Sequence, residues 1–317
     1  MANTPTDPLG SDSPEESLED AIPACVMVFN ASDASGAGGL TADIATISSV
    51  GGHPVAVVTG AYVRDTHDIF GHYSLGEEAV EEQARAVLED LPVQVIKVGF
   101  VGTPEAIATI AELTTDYTHI PVISYMPNLA WWDNGLIEQY LDAFGELLLP
   151  QTSVLVGNYS SLRRWLLPDW NGAHNPTARD LAAAAAELGA PYTLVTGIPL
   201  PDQHVDNVLA SPYAVLGSSQ FELFDATFTG AGDTLSAALA ALLACGTDLQ
   251  EACTEALSYL DRCLDGGFRP GMGHIVPDRM FWAEPEDAED PGSAPPSIAL
   301  DLPSIDGFAL PPHDTKH

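Results

Sequence analysis

The sequence predicts an α/β protein in which a mainly parallel central sheet is covered by helices on both faces, a three-layer sandwich. Three observations support this fold class. Short apolar runs alternate with segments of helical periodicity along most of the chain, an order typical of a parallel sheet. A glycine-rich segment follows the first apolar run, and a second one precedes an alanine- and leucine-rich helix. With 317 residues and 46% apolar residues, the chain can bury one large core, and we expect one domain.

The first strand is predicted at CVMVF (25–29). The segment NASDASGAGG (30–39) follows as a loop, and LTADIATISSV (40–50) is predicted to be a helix because its apolar residues recur at helical spacing. A loop at the carboxyl end of a parallel strand is where α/β sheets bind ligands. Its spacing matches neither GxGxxG nor a GK[ST] loop, so the spacing alone is a weak signal.

The later elements continue the alternation. Thr103 and Pro104 open a helix as an N-cap followed by an N1 proline, and Gly189 is predicted to end another helix as its C-cap. The other predicted strands are 54–62, 93–98, 122–125, 154–156 and 192–196, with a short antiparallel run at 204–225. The other predicted helices are 77–91, 177–188 and 249–264.

The most informative stretch is FTGAGDTLSAALAALLACG (228–246). Gly230 and Gly232 allow consecutive amides to point into one concavity, and the following helix adds the partial positive charge of its N-terminus. Such a turn binds anions, and Asp233 at its mouth could act as a base in phosphoryl transfer. The structural alternative is that Asp233 only satisfies free amides of the first helical turn.

Composition excludes several classes of partner and location. The net charge is −35, and residues 25–282 alone carry 31 acids and nine bases, so neither nucleic acid nor an anionic membrane is an expected partner. No run of eighteen apolar residues and no signal peptide is visible, which favours the cytoplasm. The four cysteines contain no CxxC pair and are predicted to be free and buried: Cys25, Cys245, Cys253 and Cys263.

The two ends of the chain differ from its centre. Residues 1–24 are rich in Pro, Ser, Asp and Glu, and residues 283–317 are rich in Pro and acids, both without apolar periodicity. We predict that the two ends are disordered and that residues 25–282 form the folded domain.

Four segments, in this order, resemble the hydroxymethylpyrimidine/phosphomethylpyrimidine kinases of thiamine biosynthesis: 30–52, KVGF at 97–100, the Thr196-Gly197 pair and 228–246. That family is ribokinase-like, with pyridoxal kinases as near relatives. The first segment is the most specific, because S/T-D-x-S-G followed by small residues and an x-A-D helix is particular to this branch. The resemblance covers about residues 25–282 and implies a ribokinase-like three-layer sandwich.

The resemblance also implies roles for individual residues. Asp233 matches the base that orients the substrate hydroxyl. The implied phosphate-binding amides are those of Thr229, Gly230, Ala231 and Gly232; the implied ATP contacts are Asn158, Thr196 and Gly197; and the implied ring contacts are Ala31, Asp33, Gly38, Arg64 and Phe100. Each has an ordinary alternative: Asn158 could cap the following helix, Thr196-Gly197 could be a plain turn, and Phe100 could be core.

Some positions depart from the family pattern. Ser124 or Tyr125, and Ser161, stand where the family has acids linked to magnesium, so the metal ligands are left unassigned, although ATP phosphates and water can hold the ion. Arg64 replaces a glutamine that reads the pyrimidine. It could meet a substrate phosphate or be a solvated surface arginine. Lys97 could offset phosphoryl charge or snorkel from a strand end.

The implied activity is ATP-dependent phosphorylation of the hydroxymethyl group of 4-amino-5-hydroxymethyl-2-methylpyrimidine, of its monophosphate, or of both. The implied cofactors are ATP and Mg²⁺, the partner is a small-molecule substrate, and a homodimer is expected by analogy. One alternative is a pyridoxal or pyridoxine kinase, since Arg64 replaces glutamine and Asp233 is the base. Another is a degenerate kinase fold with a binding or regulatory role, since the acids at Ser124, Tyr125 and Ser161 are missing.

Overall fold

The structure is a computed structural model that describes residues 23–283. The predicted disordered ends, 1–24 and 283–317, fall almost wholly outside the described residues. The chain divides into a compact unit that ends at Phe281 and a second unit, Trp282–His317, of which only the first two residues are described. All of the features below belong to the first unit.

One sheet of nine strands forms the centre, with the order β3-β2-β1-β4-β5-β6-β7-β8-β9. The six strands from β2 to β7 in this order are parallel, and the pairs β2–β3, β7–β8 and β8–β9 are antiparallel. The strands are β1 Cys25–Asp33, β2 His53–Arg64, β3 Ile69–Ser74, β4 Val93–Val98, β5 Val122–Met126, β6 Val154–Asn158, β7 Tyr192–Leu200, β8 His204–Ala210 and β9 Val215–Glu222.

Helices cover both faces of this sheet, which confirms the three-layer prediction. They are α1 Gly39–Val50, α2 Glu77–Leu88, α3 Pro104–Asp116, α4 Asn134–Ala143, α5 Tyr159–Leu166, α6 Ala178–Glu187, α7 Ala231–Ala244 and α8 Leu249–Asp265. Alternation along β1 shows the two layers: Val26 and Val28 pack with α1, α7 and α8, whereas Met27 and Phe29 pack with the core beneath α2 to α6.

The helix boundaries follow from local chemistry. The Thr103 side chain accepts a hydrogen bond from the Ala106 amide (3.1 Å), with Pro104 as the first residue of α3, as predicted. Thr177 and Asp180 form a capping box at the start of α6. Gly189 follows the end of α6 with φ of +116°, a conformation that favours glycine.

Four features differ from the sequence predictions or were not anticipated. The predicted loop 30–39 is shorter, because β1 continues to Asp33 by pairing with β2 across a bulge after Asn30. The edge strand β3 and the helix α4 were not predicted; β3 is exposed along much of its length and lacks a clear apolar alternation. Cys245 is exposed, not buried, because it lies just beyond the last residue of α7.

The strand order reverses at β1, whose two neighbours are β2 on one side and β4 on the other. Such a switch point leaves a crevice at the carboxyl ends of the strands, where α/β sheets bind ligands. Within residues 23–283, no helix has the length and apolar character needed to cross a membrane.

Candidate active site

The turn before α7 has the geometry of an anion site. Gly230 has φ of +87° and is the N-cap residue of α7, and a β-carbon at Gly230 would overlap the carbonyl oxygen of Ala37. The Thr229 amide is already bonded to the Ile275 carbonyl (2.9 Å). No side chain caps α7 in the part of the chain that the structure describes, which leaves the amides at the start of α7 for a ligand.

Asp233 lies in the first turn of α7 and points away from it. Its Oδ1 accepts hydrogen bonds from Asn30 Nδ2 (3.0 Å) and Lys97 Nζ (3.3 Å), and its Oδ2 accepts one from the Gly39 amide (3.0 Å). The carboxylate therefore does satisfy a free amide at the start of a helix, but that helix is α1 and not its own. Because these partners come from β1, β4 and the start of α1, they fix the carboxylate in the crevice at the switch point.

Behind Asp233 lies a buried charge network. Lys97 Nζ is 2.6 Å from Asp43 Oδ1, and Asn30 Nδ2 is 2.7 Å from Asp43 Oδ2. The Lys97 and Asp43 side chains are both 0% exposed, so the snorkelling alternative for Lys97 is wrong. Burial raises the pKa of Asp43 to about 6, and the neighbouring Lys97 opposes that shift.

Asp33 organises the loop between β1 and α1. Its carboxylate accepts hydrogen bonds from the Ser35 amide (2.9 Å), the Ser35 hydroxyl (2.7 Å) and the Gly38 amide (2.8 Å). Arg64 Nη1 lies 3.5 Å from Asp33 Oδ2, and the Arg64 side chain is only 8% exposed. The surface-arginine interpretation of Arg64 is wrong for that reason, and both carboxylate oxygens of Asp33 are already engaged within the protein.

Arg279, which the sequence did not single out, joins the two glycine-rich segments. Its guanidinium donates to the carbonyls of Gly36 (3.3 Å) and Ala37 (2.6 Å) and to the Thr234 hydroxyl (2.9 Å). One buried cation therefore holds the loop after β1 against the first turns of α7. The only signal in the sequence was an arginine near the end of the folded region of a strongly acidic chain.

The three predicted nucleotide contacts lie together where the end of β6 pairs with the middle of β7, because Asn158 is opposite Thr196 and Gly197 lies at an irregularity within β7. Gly197 has φ of +67°, and a β-carbon there would lie 2.7 Å from Asn158 Nδ2. Asn158 also caps α5, because its Oδ1 accepts hydrogen bonds from the Ser160 amide (2.9 Å) and hydroxyl (2.7 Å). Asn158 is thus a helix cap whose amide nitrogen faces Gly197, and the plain-turn alternative for Thr196-Gly197 is wrong because both residues belong to β7.

Two predicted ring contacts have little open surface. Ala31 is buried, and its carbonyl oxygen occupies the space that a β-carbon of Gly39 would need. The side chain of Phe100 is 1% exposed and lies in an aromatic cluster, so the structure places it in the core. That cluster consists of Tyr62, His72, Phe100, Trp131, Trp132 and Tyr140.

The residues at the expected magnesium positions provide no carboxylate. Ser124 is buried and shares a hydrogen bond with Thr152 (2.7 Å), and Ser161 lines a separate cleft of about 330 Å³ with Arg164. Among residues 23–283, no three His, Cys, Asp or Glu side chains are grouped so that they could hold a metal ion. The side chains present do not fit a magnesium site formed by the protein alone.

A family model and relatives of known name match most of this chain. The family model described as "Phosphomethylpyrimidine kinase" matches residues 33–278. The hydroxymethylpyrimidine/phosphomethylpyrimidine kinase of Mycobacterium leprae is 28% identical over 270 residues, which cover 82% of this chain and 95% of the relative.

Two solved structures have a similar fold. The pyridoxal kinase of Staphylococcus aureus in complex with ADP aligns with a TM-score of 0.72 at 20% identity, over 83% of this chain and 95% of the other. The phosphomethylpyrimidine kinase of Clostridium difficile aligns with a TM-score of 0.60 at 21% identity, over 75% of this chain and 99% of the other.

Proposed function

This chain belongs to the phosphomethylpyrimidine kinase family, and from that premise we propose that it phosphorylates the hydroxymethyl group of 4-amino-5-hydroxymethyl-2-methylpyrimidine, of its monophosphate, or of both, with ATP as donor. The observation that carries the proposal is the placement of Asp233. Its carboxylate is held by Asn30, Lys97 and the Gly39 amide beside the uncapped start of α7. A base next to a phosphate-binding turn is the arrangement that phosphoryl transfer requires.

The reaction follows from these positions. The hydroxymethyl oxygen forms a bond to the γ-phosphorus of ATP, and the bond between that phosphorus and the bridging oxygen to the β-phosphate breaks. ADP leaves with the electron pair of the broken bond. Asp233 orients the hydroxyl and accepts its proton late, because a loose transition state makes little demand on the base. The amides of Gly232 and its neighbours stabilise the charge on the transferred group.

The ring is proposed to bind between the loop after β1 and the end of β2, close to Asp233. Gly38 has no side chain, and a β-carbon there would lie 3.1 Å from Asp233 Oδ2, so this glycine keeps the approach to the base open. Arg64 closes the other side through its ion pair with Asp33. Its Nε–H already donates to the Asp65 carbonyl (3.1 Å), and the other N–H groups of the guanidinium are proposed to meet a ring nitrogen or the phosphate of a monophosphate substrate.

ATP is proposed to bind at the carboxyl end of β6 and the irregularity within β7, where Asn158, Thr196 and Gly197 meet, with its γ-phosphate at Gly230–Gly232. The similar S. aureus pyridoxal kinase is a complex with ADP, which supports a nucleotide on this fold. Because the described residues form no metal site of their own, we propose that magnesium enters on the ATP phosphates. Magnesium-ATP is then the substrate form.

A coupled assay of ADP formation, with the product identified by mass spectrometry, tests the proposal. Wild-type protein is expected to phosphorylate the pyrimidine or its monophosphate in a substrate-dependent reaction. Asp233→Asn is expected to lose turnover by about 100-fold or more and to keep its affinity for the ring, because the amide has the same shape. Near-normal turnover by Asp233→Asn would contradict the assigned role of the base.

Pyridoxal kinase activity is the alternative that a specific residue favours, since Arg64 replaces the glutamine of the family pattern. Specificity constants for the pyrimidine and for pyridoxal, measured side by side, decide between the two rings. A larger value for pyridoxal would overturn the assignment of the pyrimidine. ADP formation that depends on either ring would exclude a purely regulatory role.

Two further expectations accompany the proposal. A homodimer is proposed by analogy with related kinases and is tested by light scattering, where a monomeric mass would refute it. A cytoplasmic location is proposed from the amino-acid composition and is tested by cell fractionation.

A further inference from the structure

Tyr125 lies against the phosphate-binding turn. It is near the end of β5 and half-buried, and a β-carbon at Gly232 would overlap its hydroxyl oxygen and its ring. Gly232 does not have a positive φ. Glycine is therefore required at position 232 because any side chain there would clash with Tyr125.

The hydroxyl of Tyr125 is free to act as a donor. Within residues 23–283, no hydrogen bond joins it to another protein group, and its oxygen is not among the fully buried polar atoms. Lys97 Nζ lies 5.6 Å from the centre of the ring, so the network that holds Asp233 also contacts this side chain. Burial, followed by the negative charges of Asp233 and Asp43, raises the pKa of Tyr125, which keeps the phenol protonated.

We propose that Tyr125 is a catalytic residue whose hydroxyl donates a hydrogen bond to an oxygen of the phosphoryl group under transfer. The proposal rests on the phosphoryl-transfer function proposed above. The hydroxyl and the uncapped amides of α7 meet at Gly232 and form one set of neutral donors around the same concavity. A preorganised donor of this kind stabilises charge that develops in the transition state.

The residue type at position 125 explains why this arrangement differs from a metal site. A carboxylate next to Asp233 would repel a phosphoryl group unless a cation lay between them. A protonated phenol contacts the phosphoryl oxygens directly and needs no cation. Tyr125 thus supplies by hydrogen bonding part of the stabilisation that a metal-bound acid would supply.

The test compares Tyr125→Phe with wild type by calorimetric titration of AMP-PCP, which carries a γ-phosphonate, and of ADP, which does not. The expected result is that Tyr125→Phe binds AMP-PCP about tenfold more weakly and binds ADP as before, since one charge-assisted hydrogen bond is lost. Turnover is expected to fall about 10- to 100-fold. Tyr213→Phe, at a tyrosine that is 89% exposed, serves as the matched control and is expected to leave both affinities unchanged.

Unchanged AMP-PCP affinity in Tyr125→Phe, or an equal loss for both nucleotides, would overturn the role of Tyr125. A different result would refute the proposed kinase function: wild-type protein would bind nucleotides but would not phosphorylate the pyrimidine or its monophosphate. In that case the affinities for AMP-PCP and ADP would still test the role of Tyr125. A wild-type protein that binds neither nucleotide would overturn both proposals.

Discussion

Replacing Lys97 by methionine tests whether the buried network holds the site together. Methionine has a similar length and no charge, so the substitution removes the cation and keeps most of the packing. It leaves the Asp43 carboxylate, which is 0% exposed, without the ammonium that now lies 2.6 Å away. Asp233 loses its contact at 3.3 Å and keeps two others.

The expected loss in the free energy of unfolding depends on the burial of the ion pair and not on the distance between its charged atoms. Arg85 and Glu81 form an ion pair of almost the same length (2.7 Å), but both side chains are more than 40% exposed. Breaking a buried pair leaves an uncompensated charge and costs about 3–5 kcal/mol, whereas an exposed pair contributes about 1 kcal/mol or less. Lys97→Met should therefore destabilise the fold several times more than the matched control Arg85→Met.

The assay is guanidinium unfolding followed by tryptophan fluorescence at pH 8 and pH 5. Burial already raises the pKa of Asp43 to about 6, and without Lys97 the pKa rises further. The folded protein then binds a proton that the unfolded chain lacks, so the cost of Lys97→Met should shrink as the pH falls from 8 to 5. Adding Asp43→Asn to Lys97→Met should recover at least about 2 kcal/mol at pH 8. A cost for Lys97→Met no larger than that for Arg85→Met, or no recovery in the double variant, would refute the reasoning.

Three further predictions concern the surroundings of the site. Arg279→Lys keeps the charge but cannot reach Gly36, Ala37 and Thr234 at once, so steady-state kinetics should show a loss in kcat/KM of about tenfold or more; an unchanged value would contradict its bridging role. Gly232→Ala should abolish turnover because the added methyl group overlaps Tyr125. Adding Tyr125→Ala to Gly232→Ala should improve the binding of AMP-PCP, and no improvement would show that the clash is not the cause. Burial lowers the pKa of His72 to about 4, so the folded protein should lose about 1–2 kcal/mol of stability as the pH falls from 6.5 to 4, with solvent screening allowed for. In urea unfolding, His72→Gln should remove this pH dependence, whereas His119→Gln, at an exposed histidine, should not. Identical pH profiles for wild type and His72→Gln would contradict the role of His72.

The parts of the site that the sequence could predict are those formed by neighbouring residues. The turn before α7 and the loop after β1 each combine glycines with an aspartate within a few positions. The cap at Thr103 is equally local, since the side chain bonds an amide three residues away. Such local interactions can be predicted from the sequence because chain geometry fixes the positions of the interacting groups.

The buried ion pair of Lys97 and Asp43 could also be predicted, but only by combining the residue pattern of β4 with that of α1. Lys97 lies two positions after Val95 on the side of β4 that faces α1 and α7, and Asp43 lies on the same face of α1 as Leu40 and Ile47. A charge at a core position in each of two adjacent elements predicts an internal ion pair. Interpreting Lys97 as a strand-end residue overlooked this parity.

Arg279 could not have been found in this way. Its acceptors at Gly36 and Ala37 are more than 240 positions earlier in the chain, and backbone carbonyls leave no mark in the sequence. The space taken by Tyr125 is similar, because it becomes visible only when β5 and α7 are packed together. The periodicity of a single helix or strand does not predict which distant segments will contact it.

The distribution of cations shows how a chain of net charge −35 can carry out phosphoryl transfer. Three of its ten basic residues lie at the site, and each is engaged within the protein: Arg64 with Asp33, Lys97 with two aspartates, and Arg279 with carbonyl oxygens. These cations set the positions of the loop, the base and the helix. In the proposed reaction, the charge on the phosphoryl group is then stabilised by the magnesium that ATP brings, by amides and by a phenol. The effect of these amides and the phenol depends on exclusion of water and on preorganisation and not on net charge. Ionic strength should therefore affect kcat weakly, since short hydrogen bonds in a partly buried site are little screened.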